Sequence, residues 1–243
     1  MSALYDTIGL KYAELRKPDA RIARQIHAAL GDARSVLNVG AGTGSYEPED
    51  REVIAVEPSA EMSAQRKPGT AKVVQAVAEA LPFPDKSFDA AMASLTIHHW
   101  SDPAKGCAEM RRVTRGPIVF MTFDVAAPAF WLTDYLPGLI RLDEAIMPPI
   151  EKYAEWLGPV EISPIPIPQD CTDGFLAAYW KRPAAYLDER IRRGSSSFWK
   201  IGDISEPLAR LERDLKDGTW ERKYGHLMER ETLDCGYRLV RTI

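Results

Sequence analysis

From residue 20 to residue 123 the chain alternates two hydrophobic rhythms. Ile22, Ile26 and Leu30 recur at every fourth position, behind Asp19 and ahead of Gly31, which predicts an amphipathic helix with an aspartate N-cap and a glycine stop. Val36 to Val39 is a short apolar run of the kind that forms a buried parallel strand. Strand-like runs follow at Val53 to Glu57, Val73 to Val77, Phe88 to Leu95 and Pro117 to Phe123. Between them, Ser59 caps a helix that starts before Met62, and Asp102-Pro103 supplies the N-cap and first position of another. Cys107, Met110 and Val113 mark the apolar face of that second helix, and Arg111, Arg112 and Arg115 complement the negative end of its dipole. Strands alternating with helices predict an α/β chain, doubly wound, with a parallel sheet between two helical layers.

After Asp124 the texture changes. Residues 128–157 carry Phe130, Trp131, Tyr135, Leu136, Leu139 and Trp156 among several prolines, which predicts helices inserted between strands five and six as a cap over a substrate pocket. Val160 to Ile167 runs into prolines at 164, 166 and 168, a pattern suited to a sheet edge because proline cannot donate to a ladder. Residues 170–187 bring Phe175, Tyr179, Trp180 and Tyr186, followed by a basic stretch that reads as a solvated helix face. Ser205-Glu206-Pro207 opens what reads as the last helix, with Leu208, Leu211 and Leu215 inward and Gly218 as terminator. Leu233 to Ile243 reads as the final strand, giving a seven-stranded, mostly parallel sheet. The expected division is 1–31 as N-terminal lid and first helix, 32–123 as cofactor-binding core, 124–159 as helical cap, and 160–243 as completion of the sheet with further cap helices.

Composition narrows the function classes. The 243 residues are 45% hydrophobic, with a net charge of −4. That balance gives no general attraction to nucleic acid or anionic lipid. No apolar run approaches the roughly 20 residues that cross a bilayer, and residues 1–11 lack the basic start and apolar core of a signal peptide. Cys107, Cys171 and Cys235 are few, odd in number and far apart, without metal-ligand spacing. The expectation is a reduced cytoplasmic protein with no metal, no nucleic-acid partner and no membrane.

The chemistry concentrates where the first strand ends. Gly40, Gly42 and Gly44 follow Val39 at alternate positions, so the chain can turn sharply and a flat ligand can lie on bare backbone. A dinucleotide fingerprint needs its third glycine at position 45, which is serine here. Glu57 ends the second strand, where a carboxylate can accept hydrogen bonds from both hydroxyls of a ribose. The G-x-G-x-G form resembles motif I of the class I S-adenosylmethionine-dependent methyltransferases. The stretch Ala78-Glu79-Ala80-Leu81-Pro82-Phe83-Pro84-Asp85-Lys86-Ser87-Phe88-Asp89 resembles the signature of the family that includes the ubiquinone and menaquinone C-methyltransferases. The resemblance covers Ser35 to Phe123 well and the opening Tyr5-Asp6…Tyr12…Arg16 segment loosely.

The resemblance implies a Rossmann-like fold, S-adenosylmethionine as cofactor with S-adenosylhomocysteine as product, and methyl transfer to a small acceptor. It places Tyr12 near the methionine end or sulfonium, where an aromatic face attracts a cation. It places Asn38, Gly40, Ala41, Gly42 and Gly44 around the cofactor, with Glu57 on the ribose, and Pro58, Met62, Ala78, Glu79, Ala80 and Leu95 near the adenine and its edge. Relatives carry an acidic residue where this chain has Asn38, so retained but weaker cofactor binding is expected, and Asn38→Asp should change affinity. The residue that commonly contacts the adenine amino group falls on Val77, leaving the Ala78 backbone and Glu79 for that role. His98 and His99 follow the fourth strand, at the sheet end where doubly wound folds bind ligands. They are the general-base candidates, since imidazole titrates near neutral pH. The aromatic content of the cap predicts an apolar or aromatic acceptor. A non-catalytic binder of the same cofactor, or a partner subunit, is the alternative.

Overall fold

The computed structural model describes residues 15–67 and 69–243. Seven strands form one sheet: β1 (Ser35–Val39), β2 (Glu52–Val56), β3 (Lys72–Val74), β4 (Ala90–Ser94), β5 (Ile118–Phe123), β6 (Val160–Pro164) and, last in the chain, β9 (Tyr237–Thr242). Their order is β3-β2-β1-β4-β5-β9-β6. The first five run parallel to one another; β9 is antiparallel to both its neighbours. The chain is therefore α/β and doubly wound, with the strand order reversing between β1 and β4. The proline-bearing β6 lies at the edge, as its missing donors require.

The helices are α1 (Ala20–Ala29), α2 (Ala60–Ala64), α3 (Pro103–Val113), α4 (Leu132–Tyr135), α5 (Gly138–Ile146), α6 (Lys152–Leu157), α7 (Glu189–Arg192), α8 (Ser197–Lys200), α9 (Ser205–Lys216) and α10 (Thr219–Tyr224). Three caps form as the sequence predicts: Asp19 accepts from the Arg21 N–H, Ser59 from Met62, and Asp102 from Lys105. Each cap satisfies a helix N–H that would otherwise lack a partner.

Side-chain parity along the strands sorts the core into two layers. Val36, Ala90, Met92, Val119 and Met121 face one layer together with Ile22, Ile26 and Leu30 of α1. Leu37, Val39, Ala91, Ala93, Ile118 and Phe120 face the other, against Cys107, Met110 and Val113 of α3 and Tyr153 and Leu157 of α6. All three cysteines are buried and free. Burial pushes the Cys107 thiol up to about 12, which leaves it an inert packing group.

Several element boundaries differ from the sequence pattern. The third strand stops at Val74, and Val77 is 46% exposed, because the chain leaves the sheet to line a cleft. The final strand divides: β8 (Thr232–Leu233) pairs with β7 (Ile167–Pro168) in a small separate sheet, and Gly236 at φ 91° turns the chain into β9. Gly218 does terminate α9, at φ 77°, but α10 begins at the next residue, so α9 is not the last helix; Leu211 is its one fully inward leucine. Three aromatic residues of 128–157 turn into the core. Phe130, Trp131 and Tyr135 are buried in the core, and Trp131 makes edge contacts with Tyr135, Tyr186 and Trp220 at ring separations of 6.1, 5.5 and 5.4 Å. Large rings gain more from packing on one another than from lining a wet cavity.

Candidate active site

The carboxyl ends of β1, β2 and β4 open into a cleft of about 280 Å3. Its floor is the glycine loop. The Gly40 and Ala41 N–H groups both donate to the Val56 carbonyl at 2.9 Å, which folds the loop back over β2. Gly40 has φ 68°, and a Cβ there would meet Thr96 Oγ1 at 2.1 Å, so only glycine fits. Glu57 is 7% exposed, and its two carboxylate oxygens accept from the Gly42 N–H at 2.7 Å and the Ser59 N–H at 2.9 Å. Burial pushes its carboxyl up, and those two amides and the Arg66 guanidinium pull it back. A buried carboxylate keeps further lone-pair positions after two such bonds.

Asn38 stands under the loop. Its Nδ2 donates to Glu47 Oε1 at 2.9 Å, Glu47 Oε2 pairs with Arg66 at 2.5 Å, and Arg66 donates to the Gly42 carbonyl at 3.2 Å. The carboxylate absent at position 38 is therefore supplied by Glu47, nine residues on. Pattern reading missed Glu47 and Arg66, since no periodicity links them to the strand. Asn38 Oδ1 and Ser94 Oγ are buried with no partner among the described residues, and both residues line the cleft. On the wall of an open cleft, such atoms are placed to take a partner from a bound ligand.

On the far wall, Leu95 takes a left-handed conformation at φ 52°, uncommon for a non-glycine residue, and turns the chain out of β4 into a 3-10 turn, Ile97–His99. The His98 and His99 rings lie against each other with centroids 3.9 Å apart and planes tilted by 51°. Burial and the exposed Lys200 ammonium lower His99 to about 4, and burial, His99 and Lys200 hold His98 well below its ordinary value. Both imidazoles are neutral at pH 7 and free to accept a proton, but the lowering that keeps them neutral also makes them weak bases. Glu79 accepts at Oε1 from the Ser101 and Asp102 N–H groups at 2.6 and 3.0 Å and from Ser101 Oγ at 2.8 Å, which anchors the start of α3. Burial raises Glu79, but these bonds outweigh it and hold the carboxyl below its usual range.

Of the residues singled out from sequence, Asn38, Gly40, Ala41, Gly42, Glu57, Pro58, Met62, Ala78, Glu79, Leu95 and His99 line this cleft. Gly44 and Ala80 stand outside its wall: Gly44 packs on Glu47 and Arg66, and Ala80 is exposed. Tyr12 lies outside the described residues. A second cavity, of about 90 Å3, adjoins the first. Arg16, Leu95 and His99 belong to both walls, and His98 faces the second alone.

The chain is similar to known proteins. A methyltransferase domain family matches residues 37–117. A solved structure from Anabaena variabilis ATCC 29413, assigned to the methyltransferases of an antibiotic biosynthesis pathway, is 36% identical with a TM-score of 0.87, over 94% of this chain and 99% of that one. The chain belongs to the S-adenosylmethionine-dependent methyltransferases. Among curated relatives, the uncharacterized methyltransferase YcgJ of Bacillus subtilis is 31% identical over 66% of this chain and 65% of its own length. The 2-methyl-6-phytyl-1,4-hydroquinone methyltransferase 2 of Oryza sativa subsp. japonica is 30% identical over 50% of this chain and 36% of its own. The match thus spans about a third to two thirds of those two proteins. S-adenosylmethionine is the cofactor of this methyltransferase, and the glycine floor, the inward Glu57 and the unpartnered Asn38 Oδ1 and Ser94 Oγ fit it. Among the described residues no helix is long and apolar enough to cross a membrane.

Proposed function

We propose that this methyltransferase holds S-adenosylmethionine in the larger cleft and methylates a small acceptor seated in the adjoining cavity. The observation that carries the reading is the shared wall: Leu95 and His99 face both spaces, so a group bound in each meets the other at that boundary. When bound, S-adenosylmethionine supplies a methyl group on a sulfonium that is already a good leaving group. Glu57 accepts hydrogen bonds from the ribose hydroxyls, Met62 and Ala78 flank the adenine, and Asn38 turns its free oxygen to the methionine end.

The protein then has to orient two molecules, and orientation of this kind contributes roughly 7–11 kcal/mol to a barrier. His99, neutral and at the boundary, takes the acceptor proton when the acceptor needs a base, and His98 supports its ring. The acceptor is apolar or aromatic in body, because Phe123, Leu142, Ile146, Met147 and Phe175 wall the second cavity. The hydroquinone named for the rice relative is of that kind. In this reading residues 32–123 form the cofactor half, while 124–159 and 160–243 both lend walls to the acceptor cavity.

Calorimetric titration with S-adenosylmethionine and S-adenosylhomocysteine tests the reading, with Glu57→Gln as the variant. Saturable one-to-one binding, weakened by about tenfold or more on loss of the charged acceptor, is the expected result. Absence of binding to the parent protein overturns it. Tight binding with no transfer to any aromatic hydroxyl compound would favour a non-catalytic binding role.

A further inference from the structure

Asp143 sits where a hydrophobic residue is expected. Leu139, Leu142, Asp143 and Ile146 share one face of α5, the spacing of an apolar stripe. The stripe faces inward: Leu139 is fully buried, and Leu142, Asp143, Ile146 and Met147 line the second cavity. Among the described residues no hydrogen bond or ion pair reaches the Asp143 carboxylate. The groups around it do not neutralise it. The Arg16 guanidinium on the same wall pairs with Asp173, at 2.5 Å from Nε to Oδ1. Lys200 is exposed, the two imidazoles are neutral, and Tyr237 is a buried phenol that the Asp143 charge pushes further up. Asp143 is half-buried, and burial raises its carboxyl to about 6 with no partner to pull it back. A carboxylate so placed costs stability, and its retention on an apolar stripe points to use.

Resting on the reading of the second cavity as the acceptor site, we propose that Asp143 is an acceptor-binding residue, and that its carboxylate accepts a hydrogen bond from a hydroxyl on an otherwise apolar or aromatic acceptor. The cavity then grips its ligand at one polar point, while Leu142, Ile146 and Phe175 hold the ring or chain.

The test uses the full chain saturated with S-adenosylhomocysteine and two probes of one shape: 2-methylbenzene-1,4-diol and its dimethyl ether. Calorimetry should show the diol binding about tenfold or more tightly than the ether, the range for a hydrogen bond to a charged group. Asp143→Leu should abolish that difference, and Asp143→Asn, which keeps a carbonyl acceptor, should restore part of it. Asp143→Leu should also melt at or above the parent temperature. Asp143 does not line the larger cleft, so S-adenosylhomocysteine affinity should be unaltered in both variants. Equal binding of the two probes to the parent, no binding of the diol, or a preference that survives Asp143→Leu overturns the proposal and leaves the methyltransferase reading standing. Failure of the parent to bind S-adenosylhomocysteine removes that reading, and this one with it.

Discussion

Asn38 is the position at which motif and structure differ most usefully. Judged by the motif, its missing charge weakens cofactor binding, and aspartate should improve it. The structure places Glu47 Oε1 2.9 Å from Asn38 Nδ2, so aspartate at 38 would set two carboxylates against each other. Asn38→Asp is expected to lower unfolding stability by about 1–3 kcal/mol, the cost of replacing a buried hydrogen bond by repulsion. Adding Glu47→Gln should recover most of it, and urea denaturation of the two single variants and the double variant reads the coupling. Gly40→Ala tests the floor of the cleft. The new Cβ would fall 2.1 Å from Thr96 Oγ1 with φ already positive, so S-adenosylhomocysteine affinity measured by calorimetry should drop by about tenfold or more. At this scale the glycines and Glu57 were legible because their types are dictated by backbone geometry and charge. Glu47, Arg66 and Asp173 were not, since their roles depend on partners distant in sequence.

Among the elements, the 3-10 turn Ile97–His99 couples the site to pH. His99 titrates at about 4 in the folded protein, below the imidazole value of about 6.5 in an unfolded chain. Between those values the unfolded chain binds a proton that the folded one refuses. Stability from this group is therefore fully present above about pH 6.5 and is lost as pH falls towards 4, at up to about 1.4 kcal/mol per pH unit. Thermal denaturation from pH 4 to 8 should show this loss, and His99→Gln should flatten it relative to the parent. The turn itself was not visible in the sequence, where His98 and His99 read only as residues that follow the fourth strand. The left-handed Leu95 ends that strand, and nothing in a leucine announces a positive φ. The inserted helices show the same limit. Their aromatic content suggested a pocket wall, but burial of the Trp131 cluster satisfies that surface in the core.

Across the whole molecule, Asp173 ties three parts of the chain together. Fully buried, it pairs with Arg16, accepts from the Tyr46 hydroxyl at 2.7 Å, and lies in the segment that follows β7. Tyr46 immediately follows the glycine loop, and Arg16 lines both cavities, so this cluster fixes the cofactor half against the acceptor half. Asp173→Ala removes the buried carboxylate that pairs with the Arg16 guanidinium and accepts from the Tyr46 hydroxyl. It should cost about 3–5 kcal/mol in urea denaturation, as expected when one partner of a buried ion pair is removed.

By itself the amino-acid sequence determined the α/β alternation, the caps at Asp19, Ser59 and Asp102, the glycine floor and Glu57. Each of these depends on local periodicity, backbone freedom or the chemistry of a helix end, all carried by neighbouring residues. Tertiary structure alone decided that Glu47 faces Asn38, that the Trp131 cluster packs in the core, and that Asp143 and the two histidines line one cavity. Those outcomes depend on which strands pair and which helices pack, and contacts between residues 9 or 157 positions apart leave no period in the chain to read.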